Sequence, residues 1–146
     1  MPQVVQIGIH KSKGDKVRAV DTVEAIKGKG LVNNKHFKEN NEKKSQITLI
    51  EIENINYYNN ISKTQIPSIN FRRNIITSGI KLNELLDKKF YIGKVRVIAH
   101  DLCRPCKYLQ ESLQQKNVVK EFLYTGGLRC EILSSGKICV DDQIIS

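Results

Sequence analysis

The dominant pattern along the chain is an alternation of apolar and polar residues, which is typical of short β-strands with one buried face. Residues 4–10 alternate in this way, residues 17–26 do so weakly, and residues 90–99 form two such stretches around a glycine. Residues 128–133 and 138–144 flank the turn-forming sequence Ser-Ser-Gly-Lys. They therefore predict a hairpin that closes the chain.

Helical spacing of apolar residues occurs only in brief stretches. It predicts short helices over residues 51–61, 105–113 and 118–123. Residues 11–16 predict a turn-rich loop, residues 28–44 a long mobile loop, and residues 69–76 an extended segment. Because strands and helices do not alternate regularly, the pattern predicts a mainly β fold, a barrel or sandwich with a few short helices, in one domain over residues 1–146.

The net charge of the chain limits the kinds of partner that are expected. The chain has 146 residues and a net charge of +9, which favours anionic partners. Its densest basic segment, residues 27–44, carries six Lys against two Glu. We expect a solvated loop there, and the alternative is an interaction module that grips an acidic partner. Nucleic acid is not an expected partner, because aromatic residues that could stack on bases are few and the Tyr57-Tyr58 pair falls in a predicted helix.

The termini and hydropathy predict a cytoplasmic protein without a membrane partner. No stretch approaches the roughly 20 apolar residues of a membrane-spanning helix. The residues after Met1 lack the basic start and long apolar run of a signal peptide. In a reducing compartment the four cysteines, at positions 103, 106, 130 and 139, are expected to be free thiols.

Cys106 is the candidate reactive thiol. It follows Pro105 near the start of a predicted helix, whose N-terminus stabilises an anion, and Arg104 and Lys107 favour the thiolate in the same way. Metal ligation, persulfide chemistry and disulfide exchange all require a thiolate. Three alternatives stay open: a thiol redox pair with Cys103, a structural zinc site, and an inert core cysteine.

Two further stretches could hold an anion. Arg72-Arg73-Asn74 offers paired guanidinium groups that can bind phosphate or carboxylate through two hydrogen bonds each. Arg129 follows a glycine pair, and glycines allow a backbone to approach an anion closely. The alternatives are surface arginines on an edge strand and a plain glycine turn.

Taken in order, these stretches resemble the MOSC domain, which is named for the C-terminal domain of molybdenum-cofactor sulfurase. The resemblance is most specific between residues 46 and 143. The matching stretches are Gln46 to Glu51, Phe71 to Ile75 with Gly79 to Leu82, Phe90 to Gly93, Cys103 to Cys106, Gly127 to Arg129 and Gly136 to Ile138.

The resemblance implies a MOSC-like β-barrel that handles the molybdenum cofactor, of the molybdopterin type. It implies that Cys106 is the catalytic thiol, as a ligand to molybdenum or as a sulfur carrier. Arg73, with Arg72, Asn74 and Arg129, would lie at the anionic pterin. Some family members reduce N-hydroxylated compounds, and the mitochondrial amidoxime-reducing components are relatives that ligate molybdenum through the equivalent cysteine.

Two further expectations come from the resemblance. An electron-donor or sulfur-donor protein would be the partner, because no flavin or nicotinamide fingerprint occurs in the sequence. The chain departs from the family pattern at Asn34, where the family often has Asp. This departure implies the loss of an acid from the pocket.

Overall fold

The computed structural model describes residues 1–12 and 16–146, so residues 13–15 of the predicted loop lie outside the description. The strands are β1 (Gln3–Ile9), β2 (Arg18–Val20), β3 (Thr22–Ile26), β4 (Gly30–Leu31), β5 (Ile47–Glu51), β6 (Ile75–Ser78), β7 (Lys89–Ile92), β8 (Val95–Leu102), β9 (Leu128–Ile132), β10 (Gly136–Cys139) and β11 (Ile144–Ile145). The helices are α1 (Ile52–Ser62), α2 (Lys107–Ser112) and α3 (Val118–Glu121). None of the described helices is long and apolar enough to span a membrane.

Eight strands form one sheet in the order β11-β7-β8-β9-β5-β6-β1-β2, and β10-β3-β4 form a smaller sheet. The large sheet curls back on itself because the chain before β11 returns beside β1. There the Val4 N–H donates to the Asp142 carbonyl at 2.9 Å, and the Asp141 N–H donates to the Val4 carbonyl at 2.8 Å. The prediction of a mainly β, barrel-like fold with a few short helices is confirmed.

The two faces of the sheet bury two apolar clusters. Leu49 and Ile75 point into the larger core inside the barrel, whereas their neighbours Ile50 and Ile76 point to a second cluster on the other face. The second cluster packs the rings of Tyr58, Phe71 and Phe122 with centroids 5.2 to 6.2 Å apart. It joins α1 to α3, so the excursion of residues 104–125 between β8 and β9 is attached to the sheet.

The predicted closing hairpin is wrong. Strand β9 pairs with β8 on one edge and with β5 on the other, whereas β10 pairs with β3. Both edges of β9 are therefore occupied, and β10 has no edge there to join. The chain leaves β9 toward β8 instead, where the Ser134 hydroxyl accepts the Arg96 N–H at 2.9 Å.

Two other local predictions are wrong in part. Residues 69–76 are not continuously extended: a 3-10 turn at Ser68–Phe71 ends on Arg72, whose φ of 65° is left-handed, and strand β6 begins only at Ile75. Residues 28–44 contain β4 and are cross-linked by the Asn41 side chain, which donates to the Lys29 carbonyl at 2.9 Å. The loop is therefore built against the barrel.

Candidate functional site

A cleft of about 420 Å³ brings together all the residues that the sequence assigns to the site. They come from separate parts of the fold, and they are Arg72, Arg73, Asn74, Cys106 and Arg129. The volume lies within the roughly 300 to 1,000 Å³ of small-molecule sites. The curvature of the sheet makes this meeting possible, because the segment before β6, the start of the 104–125 excursion and β9 converge there.

Cys106 lies on the wall of the cleft with an exposed side chain. It is the N-cap of α2, and its Sγ accepts the Leu109 N–H at 3.4 Å. Helix α2 begins at Lys107, so Pro105 lies before the cap and not inside the first turn as the sequence predicts. The buried Pro105 limits the backbone next to the thiol.

The other cysteines differ from Cys106. Burial raises the pKa of the Cys130 thiol far above its ordinary value, and the Cys103 thiol adds to this shift. Cys103 is half-buried, so Cys103 and Cys106 are not equally accessible. Within the described residues, no group of three or more His, Cys, Asp or Glu side chains is arranged to hold a metal ion.

Asn74 is fully engaged by the barrel. Its Oδ1 accepts both the Thr48 N–H and the Thr48 hydroxyl at 3.1 Å, and its Nδ2 donates to the Gly8 carbonyl at 3.1 Å. The side chain therefore bridges β1 and β5 immediately before β6 begins at Ile75. Asn74 shapes the floor of the cleft, and its amide has few donors left for a ligand.

Basic side chains dominate the rest of the lining. They are Lys44, Arg72, Arg73, Arg104 and Arg129. Asp101 is the one carboxylate among the described lining residues. Burial opposes its ionisation, but hydrogen bonds from the Leu102 N–H, Arg104 and Lys44 outweigh that effect and hold the pKa of Asp101 below its usual value. The cleft therefore carries a strong positive excess, which favours an anionic ligand.

Arg129 projects from β9 into the cleft and is one of its basic residues. Its Nε donates to the Lys44 carbonyl at 2.9 Å, and one terminal nitrogen lies 3.5 Å from the Ser45 hydroxyl. These contacts attach β9 to the turn at Lys43–Ser45 and orient the guanidinium along the cleft. The fork keeps further N–H groups for a ligand.

A second cavity of about 240 Å³ adjoins the cleft and shares Arg72 and Cys106 with it. Tyr108 and Leu109 add an apolar wall there. The Arg72 guanidinium lies 5.6 Å from the centroid of the Tyr108 ring, a cation–π contact. Arg72 therefore spans the boundary between a polar, cationic space and a more apolar one.

His36 lines both cavities, although no paired motif in the sequence singles it out. Its ring meets that of His10 edge to face, with centroids 6.1 Å apart. Partial burial, then the neighbouring cations, first Lys35 and next Arg129, lower the pKa of His36 from its ordinary value. The lysine-rich loop carries His36 to the cleft, and only the tertiary structure reveals this.

Asn34 does not line either cavity, so the departure from the family pattern removes no acid from the described lining. Its Oδ1 accepts the His10 N–H at 3.1 Å beneath the cleft. An aspartate oxygen could accept the same hydrogen bond. We therefore interpret Asn34 as a support for the His10 backbone.

The lowered pKa of His36 predicts a pH effect on stability. The unfolded chain takes up a proton near the ordinary value of 6.5, before folded His36 does. His36 therefore contributes stability that is complete above that pH and is lost as the pH falls through its lower folded-state pKa. Urea unfolding between pH 8 and about 5 should give wild type a steeper loss than His36→Gln. Parallel profiles would contradict the prediction.

The protein therefore combines a curled β-sheet with a basic cleft whose wall carries an exposed thiol. The MOSC domain model matches residues 32–145, so the chain belongs to the MOSC domain family. No curated protein sequence is significantly similar to it.

Several solved structures have a fold similar to that of this chain. The crystal structure of the YuaD protein from Bacillus subtilis has a TM-score of 0.84 at 18% identity, over 99% of this chain and 94% of that chain. YiiM from Geobacillus stearothermophilus has a TM-score of 0.80 at 19% identity, over 99% of this chain and 74% of that one. YiiM from Escherichia coli has a TM-score of 0.74 at 16% identity, over 99% and 69%. At such low identities the likeness establishes the fold alone.

Proposed function

We propose that this MOSC-family protein binds the phosphorylated pterin of the molybdenum cofactor in the basic cleft and presents Cys106 to it. One observation carries the proposal: an exposed thiol shares a cleft with five basic side chains and a single carboxylate among the described lining residues. An anion is attracted to that excess charge, and a soft metal or sulfur atom is attracted to the thiolate.

The anionic end of the ligand would be held chiefly by Arg129 and Arg72. Both guanidinium groups line the cleft, and forked N–H donors match phosphate oxygens. Lys44 adds a point charge, although Asp101 already lies 3.4 Å from its ammonium. Arg73 and Asn74 contribute less directly, because backbone and hydroxyl groups occupy much of their hydrogen-bonding capacity.

The donor set fits a metal that arrives with its own ligands. Cys106 is one soft donor, and no cluster elsewhere in residues 1–12 and 16–146 would complete a site for a bare ion. The molybdenum cofactor carries sulfur ligands on its pterin, so the protein need supply only a thiolate and phosphate-binding groups. When bound, the metal supplies the electron-pair chemistry by which an N-hydroxylated group is reduced to an amine and water.

The protein itself would bind and orient the cofactor and would interact with a donor protein. Electrons for such a reduction would come from a separate electron-donor protein. In the sulfur-carrier version, a donor protein's persulfide passes its terminal sulfur to the Cys106 thiolate, which leaves a donor thiolate and a Cys106 persulfide. Both versions need the same accessible sulfur.

The test is the molybdenum and pterin content of protein purified from a host that makes the cofactor. We expect close to one molybdenum per wild-type chain. Arg129→Gln should retain at least about tenfold less, because a hydrogen bond to a charged group contributes about 1.5–3 kcal/mol and about 1.4 kcal/mol is a factor of ten in affinity.

Arg96→Gln is the matched control, since Arg96 is exposed on β8 and does not line the cleft. It should retain molybdenum like wild type. Wild-type protein with no molybdenum, and with no mass increase of one sulfur atom on Cys106, would overturn the proposal. Molybdenum-free protein that carries the extra sulfur would support the carrier version.

A further inference from the structure

The excursion that carries Cys106 leaves the barrel through a narrow neck, which we define as Cys103, Gly126 and Gly127. The last pair of β8 and β9 is Leu102 with Leu128. Beyond it, the Cys103 N–H donates to the Gly127 carbonyl at 2.7 Å. Residues 104–125 then form α2 and α3 before the chain returns.

The two sides of the neck approach each other more closely than side chains would allow. A Cβ atom on Gly126 would collide with the Cys103 carbonyl oxygen and lie 3.2 Å from Pro105 Cδ. Cys106 lies only three residues beyond Cys103. Any tilt of the excursion at the neck therefore moves the sulfur relative to the cleft.

One buried side chain binds both sides of the neck. Arg73 Nε donates to the Gly126 carbonyl at 2.8 Å, one terminal nitrogen donates to the Cys103 carbonyl at 3.2 Å, and the other donates to the Phe71 carbonyl at 3.3 Å. Arg73 is 9% exposed and has no ion pair with a carboxylate among the described residues. Because this buried guanidinium bonds only carbonyl groups, its role is to hold these backbone segments in place.

The excursion has other attachments, but they lie away from the neck. The Tyr58 hydroxyl donates to Asn117 Oδ1 at 2.6 Å and lies 3.2 Å from Gln115 Oε1, between α2 and α3. Among the described residues, Arg73 is the side chain that bonds the neck itself.

We propose that Arg73 is a positioning residue: by joining both sides of the neck to the segment before β6, it sets where the excursion holds the Cys106 sulfur over the cleft. This role differs from direct phosphate binding, which the sequence alone assigned to Arg73. It rests on the proposed function in one respect, that an anion occupies the cleft beside Cys106.

The test compares Arg73→Met, Arg73→Lys and the remote control Tyr58→Phe, each in a Cys103→Ser background, with inorganic pyrophosphate as the cleft probe and iodoacetamide as the thiol probe. In the parent, pyrophosphate should slow alkylation of Cys106 at least fivefold. Arg73→Met should bind pyrophosphate within about threefold of the parent, whereas protection of Cys106 should fall below twofold. Arg73→Lys can bond one side of the neck, so its protection of Cys106 should lie between that of the parent and that of Arg73→Met. Tyr58→Phe should keep the full protection of the parent.

Limited trypsin digestion is the second arm and needs no ligand. Lys107, Lys116 and Lys120 lie in the excursion. Arg73→Met should be cut there first while the barrel stays intact, a pattern that uniform loss of stability does not produce. If Arg73→Met does not fold, Arg73→Gln takes its place.

The outcomes separate the two proposals. Loss of pyrophosphate binding in Arg73→Met, with unchanged alkylation without anion and unchanged digestion, would make Arg73 a ligand and overturn the positioning role. A parent that does not bind pyrophosphate would count against the proposed function instead. The digestion pattern would then decide the role of Arg73: early cleavage in the excursion supports it, and wild-type resistance overturns it.

Discussion

Cys106→Ser is expected to abolish molybdenum retention and any persulfide while leaving the fold unchanged. A serine hydroxyl is a hard, neutral donor at neutral pH, so it is a much weaker ligand for a soft metal than a thiolate and it does not carry sulfur. The side chain is exposed, and serine is a good N-cap that can accept the Leu109 N–H in place of the sulfur. Molybdenum per chain should fall to background, and the intact mass should show no extra sulfur atom. The unfolding midpoint in urea should stay equal to that of wild type within experimental error.

Cys103→Ser is the matched control for that substitution. Cys103 is half-buried at the neck, and its backbone makes the neck hydrogen bonds, so its thiol can be lost with little change in the cleft. We expect it to keep most of the wild-type molybdenum. Equal losses in both variants would show that molybdenum retention needs Cys103 as much as Cys106, and would contradict the assignment of Cys106 alone.

Gly127→Ala is expected to destabilise the protein by about 3–5 kcal/mol, which is large for one methyl group. Gly127 has a φ of 107°, and a Cβ there would run into the Leu49 carbonyl oxygen and lie 2.9 Å from its carbon. The obstacle is the backbone of β5, which pairs Leu49 with Leu128 and cannot rotate away. Urea unfolding followed by tyrosine fluorescence should show the loss.

Gly28→Ala separates the clash from the backbone strain. Gly28 also has a left-handed φ, of 75°, but a Cβ there would meet nothing within 4 Å. We expect it to cost only about 1–2 kcal/mol, the ordinary penalty of that conformation. If both variants lost the same stability, close packing of the neck on β5 would not be what requires glycine at position 127.

Local sequence patterns predict many of the strands and helices of the fold. The alternation in residues 90–99 predicts β7 and β8 correctly, because each strand has one face in the barrel core and one in solvent. The apolar spacing in residues 51–61 predicts α1, whose Ile55 and Tyr58 are buried. The helix after Pro105 was also predictable, apart from its first residue.

Local sequence did not determine which strands pair with each other. The turn after β9 has hairpin-like composition, but whether it closes a hairpin depends on free strand edges, and β5 and β8 already occupy both edges of β9. Residues 28–44 have loop-like composition, yet β4 pairs with β3 and the Lys35 N–H donates to the His10 carbonyl at 2.7 Å. In both cases distant partners outweighed local preference.

The candidate site divides in the same way. By itself, the sequence determined which chemistries the chain contains: a thiol after a proline at a helix start, paired arginines, an arginine after two glycines, and a family pattern. Only the tertiary structure decided how each group is used. It put Cys106 and Arg129 in one cleft, brought His36 in from the lysine-rich loop, and committed Arg73 to three carbonyl groups. The physical reason is that a side chain's role depends on which of its hydrogen-bonding groups the fold has already satisfied, and those partners lie up to 85 residues away along the chain.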